Sequence, residues 1–184
     1  MVKESVKQSY LIYFKPSEYL EARLNNFRKG LARSGGMEYK GKDLLHATLF
    51  KAKFSEKYEN NILEELMDTE RKMFAPRIIE MDLFAYNSLV VRLEKHENLQ
   101  QLHEGIIRSI KPYTEEDLPG WFGKDYAPHI TLCKSMHGTV PEIPKELEHY
   151  SWLVSELFIA KKVDDVWHPF MDFSLGYDLE EELL

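Results

Sequence analysis

At 184 residues, with 43% hydrophobic and 12% aromatic side chains, the chain holds enough apolar material for one full domain or two closely packed lobes. A formal charge of −7 argues against a partner such as a long nucleic-acid duplex, which needs a basic footprint; a nucleotide or an RNA end needs only a local basic pocket. Cys133 is the only cysteine, no apolar run reaches the ~20 residues of a membrane span, and Met1-Val2-Lys3-Glu4 lacks the apolar region of a secretion signal. The expectation is a monomeric cytoplasmic protein with no membrane partner, no internal disulfide and no cysteine-based zinc site.

Tyr10-Leu11-Ile12-Tyr13-Phe14, stopped by Pro16, predicts a buried strand. Leu20, Leu24, Phe27 and Leu31 then recur at helical spacing, with Ser17 as N-cap and Gly30 near the end. After Ser34-Gly35-Gly36 and the stretch Tyr39 to Asp43 comes His46-Ala47-Thr48-Leu49-Phe50, an apolar strand. Lys40, Lys42, Lys51 and Lys53 around it form either an anion-attracting rim or a solvated face. A second helix is predicted over Ser55 to Phe74, with Ile62, Leu63, Leu66, Met67, Met73 and Phe74 as its core stripe and Pro76 as its stop. Strands follow at Arg77 to Tyr86 and Leu89 to Leu93, joined by an Asn87-Ser88 turn.

A third helix, His96 to Ile110, carries Leu99, Leu102, Ile106, Ile107 and Ile110. His96 and His103 stand on it seven residues apart without ligand partners, so they read as structural rather than metal-binding. The long segment Lys111 to Pro128 carries Trp121, Phe122 and Tyr126 and has the length of a functional loop. It leads into the strand His129-Ile130-Thr131-Leu132-Cys133. A short helix framed by Pro141 and Pro144, and strands at Ser151–Lys161 and Phe170–Tyr177, complete the core, with Trp167 and His168 read as structural.

Two segments therefore share the phrase His-x-Thr-Leu, each with a lysine two residues further on (Lys51, Lys134). With seven histidines, five threonines and 23 leucines in the chain, about 0.02 such matches are expected by chance. In a strand, residues i and i+2 face the same way, about 7 Å apart, so each phrase aims one imidazole and one hydroxyl in one direction. The order strand, helix, loop, motif strand occurs at residues 10–50 and again at 89–133, the pattern of an internal duplication. Two lobes, approximately 8–86 and 87–178, within a single domain of residues 1–184, would bring both motif strands to their interface. The competing reading is a pair of buried strands, each with a satisfied histidine.

His46-Ala47-Thr48-Leu49 and Tyr126-Ala127-Pro128-His129-Ile130-Thr131-Leu132, 83 residues apart between histidines, resemble the 2H phosphoesterase superfamily, which includes the 2′-5′ RNA ligase-like proteins. The order of elements extends the resemblance from about Tyr10 to Gly176. It implies a bilobal α+β fold with two antiparallel sheets flanking a central cleft and helices outside. It also implies metal- and cofactor-independent cleavage of 2′,3′-cyclic phosphates, 2′-5′ linkages or related cyclic nucleotides.

In that chemistry one neutral histidine takes a proton from water or a ribose hydroxyl, and the other gives one to the leaving oxygen. Thr48 and Thr131 donate to the non-bridging phosphate oxygens. Tyr126, Trp121 and Phe122 are candidates for stacking a base. Lys134 is a candidate for a second phosphate; a regular strand points it away from His129, so it needs a bulge or a strand end to reach the site. A nucleotide- or RNA-end-binding module without turnover and an RNA end-joining enzyme are the alternatives. No metal site is expected.

Overall fold

The computed structural model describes residues 7–35, 37, 44–69, 72–84, 87–114, 125–134, 136 and 138–176. Strand β1 (Lys7–Phe14) is the predicted apolar run, buried on both faces over its second half. Helix α1 (Glu18–Arg33) starts where Ser17 accepts the Leu20 amide, with Glu18 and Glu21 in its first turn and Arg33 in its last, as the helix dipole favours. It runs past Gly30 and buries Leu20 and Leu24, each side chain contributing roughly 1.5–3 kcal/mol by leaving water.

The first motif strand is β2 (Ala47–Ser55). A single 3₁₀ turn, Glu56–Tyr58, precedes α2 (Glu59–Asp68), which is shorter than the apolar stripe predicts. Ile62 and Leu66 are buried, but Met67 is exposed. Phe74 leaves the helix to form a strand-like bridge with Val154, whose amide donates to the Phe74 carbonyl at 2.8 Å. Pro76 disfavours helical backbone at Ala75, so the chain reaches the sheet extended.

Strands β3 (Ile78–Phe84) and β4 (Ser88–Leu93) flank Asn87, whose φ of 55° makes the predicted turn. Helix α3 (Glu97–Ile110) uses the His96 ring as its N-cap, Nδ1 accepting from Asn98 N at 3.2 Å. The second motif strand is β5 (His129–Cys133). The expected short helix is one 3₁₀ turn, Lys145–Leu147. Strands β6 (Glu156–Val163) and β7 (Val166–Ser174) form a hairpin closed by Asp164 and Asp165, both at positive φ. That two-residue turn matches the twist of the strands and moves both strand boundaries from those predicted.

The order in the sheet is β3-β4-β5-β2-β1-β6-β7, with every neighbour antiparallel. The two separate sheets expected from the sequence are thus one. The reason is local: β2 and β5 join through the pair Ala47–Ile130, which links the β3-β4-β5 group to the β2-β1-β6-β7 group. All three described helices share one core with one sheet face, including Tyr10, Ile12, Phe14, Ala47, Leu49, Val91, Ile130 and Leu132. The opposite face carries a small separate cluster, Leu11, Tyr13 and Ala160, with Phe158 and Trp167 against it.

Candidate active site

The two motif strands meet near their starts. Ala47 and Ile130 are paired, fully buried, and point to the helices. Alternation then puts His46, Thr48, His129 and Thr131 on the other face, where all four are half-buried. The single pair Ala47–Ile130 thereby brings the two histidine-threonine phrases side by side. Each imidazole therefore shares its face with the hydroxyl two residues on, and the charge of His129 acts on His46.

Both histidines are held by the same bond. His46 Nδ1 lies 2.8 Å from the Leu44 carbonyl, and His129 Nδ1 lies 2.8 Å from the Ala127 carbonyl. A carbonyl only accepts, so Nδ1 carries the proton in each ring and donates it. That leaves Nε2 as the nitrogen that gains or loses a proton. Tyr13 contacts the His46 ring edge-on at 5.3 Å between centroids, and Phe84 contacts His129 at 4.6 Å.

A family model described as the 2′-5′ RNA ligase superfamily matches residues 16–165. The chain belongs to this superfamily. No curated protein is similar enough to count as a match. Among solved structures, apo LigT of E. coli superposes with a TM-score of 0.74 at 17% identity, covering 94% of this chain and 99% of that one. TT0787 of Thermus thermophilus gives 0.74 at 20% identity, covering 92% and 99%. E. coli LigT complexed with 3′-AMP gives 0.74 at 16%, covering 93% and 99%. At these identities the likeness is one of fold.

In this superfamily member a bulge follows each motif threonine. Tyr13 opposes Thr48 and Ile12 opposes Phe50, so Leu49 is the extra residue in β2. Val90 opposes Thr131 and Leu89 opposes Cys133, so Leu132 is the extra residue in β5. Both leucines, and Phe50 and Cys133 after them, are buried. Two consecutive residues thus face the helices, and the alternation resumes one step late. Lys51 returns to the histidine face, opposite Leu11, and Lys134 follows the end of β5, its charge acting on Lys51. The bulge that Lys134 requires is therefore present, and Lys51 is its counterpart.

Tyr126 is not where the sequence reading put it. Its ring is buried in the helix-side core, and its hydroxyl donates to the Thr48 carbonyl at 3.0 Å. It stacks on His103 at 3.9 Å, and His103 Nδ1 donates to the Leu49 carbonyl at 2.8 Å. The two rings hold the carbonyls of the β2 bulge from behind the sheet, so Tyr126 positions the first motif rather than stacking a base. His103, read from sequence as structural, is fully buried behind the first motif strand. Trp121 and Phe122 lie outside the described residues, as do Tyr39 to Asp43. Trp167, read from sequence as structural, is half-buried on the histidine face.

Burial pushes the pKa of His46 below the usual histidine value, and positive charge on His129 and Lys51 pushes it further; the Leu44 bond opposes them. Burial also lowers His129, against the Ala127 bond. His103 is lowered to about 4 by burial, so it is a neutral donor at physiological pH. Among the described residues no three His, Cys, Asp or Glu side chains cluster as metal ligands, and no helix is long and apolar enough to cross a membrane.

Proposed function

We propose that the chain is a metal-independent phosphodiesterase that cleaves 2′,3′-cyclic phosphates, 2′-5′-linked or related cyclic (oligo)nucleotides. The observation that carries this reading is the matched pair of imidazoles, each tied at Nδ1 to a carbonyl two residues upstream and followed by a threonine on the same face. The structural neighbours include E. coli LigT complexed with phosphate, with 3′-AMP, with ATP and with NADP+, and the PDE domain of MHV ns2, which supports a nucleotide phosphate as ligand. The succession β1-α1-β2 and its counterpart β4-α3-β5 support a single bilobal domain of duplicated origin, with the site where the copies meet.

The pair divides the proton work. The two rings repel each other's charge equally, and the Lys51 ammonium acts on His46 as well, so we assign the single proton shared by the pair to His129. Neutral His46 Nε2 takes the proton of an attacking water as its oxygen bonds to phosphorus. The bond from phosphorus to the leaving ribose oxygen breaks, and His129 Nε2–H gives that oxygen its proton. Thr48 and Thr131 donate to the non-bridging oxygens, where charge gathers in the transition state. Acid–base assistance of this kind contributes about 10²–10⁴ to the rate per group.

The test is a panel of 2′,3′-cyclic nucleotides and 2′-5′ and 3′-5′ dinucleotides incubated with EDTA and analysed by mass. Cleavage of members with a 2′ ester, and its loss in His46→Ala and His129→Ala, is the expected result. Binding without cleavage would favour a recognition module instead.

A further inference from the structure

We propose that Lys51, Lys162 and Trp167 form a second anion subsite beside the histidines, which holds a phosphate of the substrate other than the scissile one. The inference rests on the phosphodiesterase reading and specifies its substrate: a nucleotide with at least two phosphates.

The observations concern one side of the sheet. The β2 bulge returns Lys51 to the histidine face, where it pairs with Leu11, two residues along β1 from Tyr13 and hence about 7 Å along the strand from the Thr48 pair. Lys53 follows on the same face, opposite Ser9. Across β1, Ala160 opposes Leu11, and Lys162 stands two residues further along β6 on the same face. Lys162 pairs with Trp167 in the β6–β7 hairpin. The Trp167 ring packs on the Leu11–Tyr13–Ala160 cluster, and Lys51 Nζ lies 5.7 Å from its centre.

The positive charges converge. Lys162, Lys134 and Lys53 all act on the Lys51 ammonium and, with burial, lower its pKa. Like charges crowd at a cost unless an anion joins them. Among the described residues, the one carboxylate paired with any of the four lysines is Asp165, which is 94% exposed and holds Lys162 at 2.7 Å. Water screens such a pair and leaves it little strength.

The other side of the site is built differently. Arg92, opposite His129, is neutralised by Glu80 at 2.7 Å and Asp82 at 3.7 Å. Among the described residues, positive charge therefore gathers on the β2-β1-β6 side of the site, with Lys134 after β5 adding to it. Trp167 adds an aromatic face beside the lysines, suited to the base or sugar that accompanies the second phosphate.

Calorimetry with adenosine 3′-monophosphate, adenosine 3′,5′-bisphosphate and a 3′-phosphorylated adenosine dinucleotide tests this without requiring turnover. The wild-type protein is expected to bind at least one of the two-phosphate ligands about tenfold tighter than the monophosphate, as one added charge-assisted contact implies. A preference for the dinucleotide assigns the subsite to a chain-continuing diester; a preference for the bisphosphate assigns it to a terminal phosphate. Lys51→Gln/Lys162→Gln and, separately, Trp167→Leu should shrink that preference towards unity, and Lys29→Gln on α1 should keep it. Added salt should weaken it. Equal binding of all three ligands by the wild type, or a preference untouched by the β2 and β6 changes, overturns the subsite. Turnover of cyclic nucleotides in the same preparations is read separately and reports on the phosphodiesterase reading alone.

Discussion

The two motif strands are alike where the chemistry is proposed and unlike behind it. β2 and β5 share the carbonyl-tied histidine, the threonine two residues on, the leucine bulge and a lysine two residues after it. Behind β2, however, stand His103 and Tyr126, which bind the carbonyls of Leu49 and Thr48. Around His46 there is also the charge of Lys51, whereas burial is what lowers His129. The proposed division, with His46 neutral and His129 carrying the proton, draws on that difference.

Breaking either copy should have the largest effect. His46→Ala and His129→Ala should each reduce turnover by about 10²–10⁴ in steady-state assays on a cyclic nucleotide. The double variant should lose less than the product of the two losses, because the residues act as a unit. Thr48→Ala and Thr131→Ala should lower kcat by up to about 10², each removing one donor to phosphate.

The brace behind β2 should separate the copies by stability. Tyr126→Phe leaves the Thr48 carbonyl without its donor and should cost about 1–3 kcal/mol in urea unfolding. Its effect on turnover should follow from a looser Thr48. His103 gives a pH signature. Its folded pKa lies near 4, below the usual value of 6.5, so the unfolded chain binds the proton first. The stability it contributes is complete above pH 6.5 and is lost as pH falls towards 4, with an upper bound of ~3 kcal/mol. His96→Ala, His149→Ala and His168→Ala should leave turnover nearly unchanged, since His96 caps α3 and the other two are exposed.

How much of this was legible in the sequence differs by element. The motif strands were, because a buried residue between two half-buried polar ones is a period-two signal. So was α1, with its cap and its buried leucines. The second helix was overextended because Met67, Met73 and Phe74 continue the helical period, yet Phe74 is needed by Val154 in an extended bridge. The β6–β7 turn was hidden because Asp164-Asp165 reaches positive φ without glycine. The single sheet was out of reach because one residue pair, Ala47–Ile130, decides it. Tyr126 was misplaced because nearness to His129 in sequence does not fix which face of the sheet a ring packs on. The bulges were invisible, since Leu49 and Leu132 read as ordinary apolar strand residues.

The measurement that bears most directly on the division of labour between the copies is the pH dependence of kcat/KM on a 2′,3′-cyclic nucleotide in EDTA. It should be taken for the wild type, a folded His46 variant and a folded His129 variant. The base must be neutral, so activity rises with pH through the His46 pKa; the acid must be protonated, so activity falls through the His129 pKa. Both values are lowered, which moves the wild-type bell to the acid side of 6.5. The His46 variant should lose the rising limb and keep the falling one, and the His129 variant should do the reverse. A bell that survives unchanged in either variant, or activity that EDTA abolishes and a divalent ion restores, would contradict the account.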